Sequence, residues 1–94
     1  MQIIWRAAAI RDLNAIREFI AQDKPKSADR VRSAIRTAVE RLADHPNLGR
    51  AGHVDGTREL VIAGTPYIIA YRVAAGSLRI LAVMHGSRRW PDRF

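Results

Sequence analysis

Apolar positions along this chain follow two different periods, and the change from one to the other divides it. From about Ala7 to Ala21, Ile10, Leu13, Ile16 and Ile20 recur at helical spacing, with Phe19 widening the stripe. Arg11, Asp12, Arg17 and Glu18 lie off that stripe and are expected to face water. Asp23-Lys24-Pro25 ends this helix and opens another, because the fixed φ of proline suits a first helical turn. In the second helix Ala28, Val31, Ile35, Ala38 and Leu42 form the apolar stripe, and Arg30, Arg32, Arg36, Glu40 and Arg41 lie beside it. Asp44-His45-Pro46 stops it. Two helices joined by about four residues are expected to form an antiparallel hairpin.

The second half has the composition of strands. Residues 46 to 57 carry Gly49, Gly52 and Gly56 and read as a loop. Three apolar runs follow, Leu60–Ile62, Tyr67–Val73 and Leu78–Met84, rich in β-branched and aromatic residues. Gly64-Thr65-Pro66 and Ala74-Ala75-Gly76-Ser77 separate them, and such short turns imply an antiparallel meander. The middle run is apolar at nearly every position, which suits a central strand. Residues 1–5 form a further short strand, expected at the sheet's edge. The predicted fold is therefore α+β, in the order β-α-α-β-β-β: a four-stranded antiparallel sheet with the helical hairpin on one face. The basic, irregular segment from Gly86 to Phe94 closes the sequence.

Length and composition narrow the function. The 94 residues, 48% apolar and 27% charged, suit one folded domain spanning 1–94. No run of apolar residues is long enough to span a bilayer, and Met1–Trp5 is too short for the apolar region of a signal peptide. A cytoplasmic protein with no membrane partner is expected. The absence of cysteine excludes a disulfide scaffold, a thiolate metal site and a cysteine nucleophile. His45, His53 and His85 are scattered without ligand spacing, so neither metal nor cofactor is expected. Net charge is +7, and fourteen of the sixteen basic residues are arginine, only Lys24 and Lys26 being lysine. Arginine is favoured where planar contacts to phosphate or carboxylate are made, so the partner is expected to be nucleic acid or an acidic protein.

Several segments together resemble the RelE/ParE toxin superfamily: Ile4-Trp5, Asp12-Leu13 with Ile16, Pro46 with Gly49-Arg50, Gly56-Thr57-Arg58-Glu59-Leu60, and Tyr71-Arg72-Val73. The ending His85-Gly86-Ser87-Arg88-Arg89-Trp90-Pro91 looks like the His-Gly-x-Arg-x-Trp close of many members. The resemblance implies the toxin of a type II toxin–antitoxin module, neutralised by a cognate acidic antitoxin. RelE-like members cleave mRNA on the ribosome without metal. ParE-like members inhibit DNA gyrase without catalysing a reaction. Endonucleolytic cleavage of mRNA is the activity expected here, with gyrase inhibition as the alternative. RelE-like members also have an arginine beginning the middle strand, where this chain is apolar near Ile68.

Metal-free RNA cleavage needs a base, an acid and cations around the phosphorane. On the RelE-like reading His85 is the acid or base, Arg88 the phosphate clamp and Arg58 a further catalytic cation. Arg50, Arg72 and Arg89 bind the substrate backbone, and Trp90 or Phe94 offers a stacking face. Strand alternation puts Arg58 and Glu59 on opposite faces, and places Arg72 with Ile68 and Ala70. Trp90 has the alternative of an apolar plug docking the tail onto the helices.

Overall fold

The computed structural model describes residues 1–87 and 90–94. Arg88 and Arg89 lie outside the described residues. The elements run β1 (Gln2–Trp5), α1 (Ala7–Ala21), α2 (Pro25–Asp44), β2 (Arg50–Ala51), β3 (Arg58–Val61), β4 (Tyr67–Ala74) and β5 (Ser77–His85). Both helices fall where the apolar spacing puts them, and Pro25 occupies the first turn of α2.

The five strands form one sheet in the order β1-β5-β4-β3-β2. The α+β class holds, with two departures from the expected sheet. Arg50 and Ala51 add a short fifth strand, pairing antiparallel with Glu59 and Arg58. The sheet is also mixed, because β1 runs parallel to β5, from Gln2 beside Ser77 to Trp5 beside Ile80. Long connections permit parallel pairing, and everything from α1 to β4 lies between these two strands.

The β4–β5 hairpin is the longest pairing. It turns through Ala75 and Gly76, both at positive φ (51° and 75°). That is the two-residue geometry whose twist matches the flanking strands. A bulge between Ala70 and Tyr71 pairs Ala70 with Ala82 but Tyr71 with Ile80, leaving Leu81 as the extra residue.

Alternation then sorts the side chains into two faces. On one face Ile69, Tyr71, Leu78, Ile80 and Val83 are buried with Ile35, Val39 and Leu42 of α2 and Ala9 of α1. Each large aliphatic side chain buried there contributes about 1.5–3 kcal/mol relative to exposure. The other face carries no helix. Ala70, Ala82 and Met84 form a second, smaller cluster on it, against which Trp90 and Phe94 pack. The tail therefore docks on the sheet, not on the helices. Helix α1 is covered less completely than its stripe implied: Ala9 is buried, whereas Ile10 is 44% and Phe19 71% exposed.

Because β1 stops at Trp5, β5 has an uncovered edge beyond Ile80. The amide of Arg6 makes the last bond, to the Ile80 carbonyl. Farther along, the Val83 amide donates to Asp12 Oδ2 at 3.1 Å. Asp12, expected in water, is half-buried and does the work of the missing strand.

Candidate functional site

The loop after α2 is tied to the core through one phenol. Tyr71 is fully buried on β4. Its hydroxyl donates to the Pro46 carbonyl and accepts from the Gly49 amide, both at 2.8 Å. The chain approaches so closely that a Cβ on Gly49 would lie 2.6 Å from that hydroxyl and 2.8 Å from the Glu59 carbonyl. Arg58 closes the arrangement by donating to the Gly49 carbonyl at 2.7 Å. Burial raises the Tyr71 pKa against the opposing pull of the Gly49 amide and the Arg58 charge, so the hydroxyl keeps its proton.

On the open face the same loop brings a histidine over a buried carboxylate. Glu59 is 1% exposed. Its Oε2 accepts from the His53 amide and lies against His53 Nδ1, each at 2.6 Å, and its Oε1 is 3.4 Å from Arg50 Nη2. Burial alone would push the Glu59 pKa up. The side-chain and backbone hydrogen bonds from His53, the His53 charge and the bond from Arg50 outweigh it and leave the group below the ordinary carboxylate value. The His53 ring remains largely exposed and stacks on Trp90, with centroids 4.7 Å apart and planes 8° from parallel. With Nδ1 engaged, Nε2 is the nitrogen left to meet a ligand.

Two further cations share this face. Arg72 and Arg79 are direct cross-strand partners on β4 and β5. Arg72 is half-buried beside the Gly56 turn, where a Cβ would stand 4.0 Å from its Nε. Arg79 Nε reaches Ser77 Oγ at 3.5 Å. Among the described residues neither guanidinium is within salt-bridge distance of a carboxylate.

His85 belongs to the opposite face. It pairs across the strands with Tyr67, which it meets edge-on at 5.6 Å. Its Nδ1 accepts from the Ser87 amide at 3.1 Å, with the Ser87 hydroxyl 2.7 Å away. It lines a shallow groove with Ile16, Phe19, Tyr67 and Val83, between α1 and the free edge of β5. Among the described residues no cluster of three or more His, Asp or Glu could hold a metal ion.

A family model described as the ParE toxin of the type II toxin–antitoxin system parDE matches residues 3–90. The chain belongs to this ParE toxin family. Among its relatives, the toxin Y4kP of Sinorhizobium fredii is 46% identical over 97% of this chain and 94% of its own. Toxin RelE2 of Caulobacter vibrioides is 39% identical over 93% of this chain and 97% of its own. A solved chain from the chromosomal ParDE system of P. aeruginosa superposes with a TM-score of 0.82 at 26% identity, covering 90% of this chain and 95% of that one. The RelE/ParE resemblance read from the sequence is thereby borne out.

The residues singled out in the sequence do not converge in this ParE toxin. Arg50, Arg72, Trp90 and Phe94 share the open face, as a substrate surface requires. Arg58 points to the helix side with its strand partner Tyr71 and is engaged with the Gly49 carbonyl. His85 is also on the helix side, at the far end of β5. The expected roles of Arg88 and Arg89 fall outside the described residues. Sequence reasoning noticed His53 and Glu59 separately but not as a pair, and it passed over Arg79. The Arg72–Arg79 pairing was within reach, because a two-residue turn at Ala75-Gly76 sets that register.

Proposed function

We propose that this ParE toxin acts by binding DNA gyrase and stalling it, without catalysing a reaction, and that a cognate acidic antitoxin neutralises it. The observation that carries this reading is the dispersal of the nucleolytic candidates. His85 and Arg58 lie on the helix side of the sheet, Arg72 lies on the open side, and Arg58 is engaged by the backbone. General acid–base cleavage needs its groups within hydrogen-bond reach of one phosphate, and the separation of Arg72 from His85 and Arg58 by the sheet weighs against a site built on those three. Support also comes from the family match, from the ParDE chain as structural neighbour, and from the apolar Ile68 near the start of the middle strand. An excess charge of +7 suits an acidic antitoxin segment.

The test pairs two assays. Saturating purified toxin is expected to stop supercoiling by purified gyrase, while transcripts in arrested cells stay intact. Unimpaired supercoiling together with fragmented transcripts would overturn the reading.

One feature favours a second reading, RNA cleavage. An imidazole oriented by a buried carboxylate beside Arg50 is a competent general base, and His53 has that setting. Fragmented transcripts that disappear with His53→Ala are the result this reading expects.

A further inference from the structure

Like charges placed directly opposite each other across two strands repel, and an isolated sheet would be more stable without them. Arg72 and Arg79 are such a pair, and they stand on two interior strands of the sheet, not on a frayed edge. Arg72 is half-buried, which reduces the solvent available to screen it. No carboxylate among the described residues compensates either one. Glu59, on the same face, is already shared between His53 and Arg50.

Their surroundings hold the pair ready for a ligand. Ser77 bonds Arg79 from its own strand. Gly56 leaves the space beside the Arg72 guanidinium open. The Gly56 turn follows directly on His53, whose Nδ1 is held by Glu59, so that Nε2 is the ring nitrogen left for a ligand. Directly opposed residues have Cβ atoms about 4.5–5.5 Å apart, so both planar forks can reach a single tetrahedral anion. Beyond them lies the stacked His53–Trp90 pair, an aromatic platform of the kind on which nucleobases rest.

We propose that Arg72 and Arg79, with His53 beside them, form a phosphate site on the open face that takes the phosphodiester backbone of a nucleic acid. The aromatic platform favours nucleic acid over an acidic peptide, which would meet the guanidinium forks but has no bases to stack. The site goes beyond inhibition of gyrase: it gives the toxin a direct hold on nucleic acid, measurable with no enzyme present.

The experiment is fluorescence anisotropy of the full chain with fluorescein-labelled single-stranded oligothymidine and with a duplex of equal length, across a salt series. Each phosphate contact contributes about 0.7 to the salt slope for a single strand and about 0.9 for a duplex. The variant R72Q/R79Q is expected to bind about tenfold or more weakly at low salt, and to lower the single-strand slope by about 1.4. Preference for the single strand would assign the platform a stacking role. Equal affinity would assign the site to the backbone alone. The control R32Q/R36Q removes the same charge from exposed positions on α2 and is expected to change affinity by less than about threefold. Equal losses in the two variants would mean diffuse charge and overturn the site, as would no binding at low salt. Polyglutamate that displaces the oligonucleotide and itself depends on Arg72 and Arg79 would overturn it in favour of an acidic protein ligand. The single change Arg79→Gln, at an exposed position, guards against a folding defect from Arg72, and circular dichroism checks both variants.

Discussion

At the scale of single residues the governing fact is that Glu59 is buried yet ionised. Its folded pKa lies below the ordinary value of 4.5, so its ionised form is stabilised on folding. A depressed carboxylate contributes stability that is fully present above its unfolded value and is lost as pH falls through the folded one. The Glu59→Gln variant is therefore expected to be less stable than the native chain at neutral pH, with the gap narrowing below about 4.5. Urea melts over a pH series measure this, and a gap that stays constant into acid would contradict it. The His53–Glu59 contact spans six residues across an irregular loop and the start of a strand. No periodicity joins two such positions, so the pair was not legible in the sequence. What could be read was that Arg58 and Glu59 must diverge, and the opposite fates of their side chains follow from that alternation.

At the scale of elements the helices were legible nearly to the residue and the sheet less so. Helix stripes declare themselves over many residues, and Pro25 and Pro46 mark where α2 begins and where the chain after it cannot continue as helix. Strand direction has no such local signal: β1 has the same composition whether it lies parallel or antiparallel to β5. The two-residue β2 is too short for any alternation to show. Asp12 illustrates the limit, since its side chain covers an edge that exists only because β1 is short. Replacing it with alanine leaves the Val83 amide without its partner, at an expected cost of about 1–3 kcal/mol. Asp12→Asn keeps an acceptor oxygen and is expected to retain most of the stability. Equilibrium urea unfolding of the two variants distinguishes them, and equal losses would assign the effect to something other than that hydrogen bond.

At the scale of the whole molecule the two faces of the sheet do different work. One is filled by the helices and supplies the core; the other keeps its charges and is partly covered by the tail. Composition, with fourteen arginines, pointed to an anionic partner without saying where it would bind. Long-range attraction of this kind appears in association rates, which fall steeply with ionic strength. Capture of an acidic antitoxin by this +7 chain is expected to slow about tenfold or more between low and high salt, by stopped-flow fluorescence. A rate indifferent to salt would assign recognition to apolar contacts.

The parallel seam between β1 and β5 also bears on how the toxin is made. Gln2 finds its neighbour in Ser77, and Ile3 in Leu78, so β1 waits for a strand far along the chain. Such distant pairings are slow to form because the intervening chain must be closed first. A ribosome partway through the message carries two helices and an incomplete sheet whose central hairpin has yet to appear. A chain interrupted before Ser77 therefore lacks the partner of β1 and cannot close this sheet.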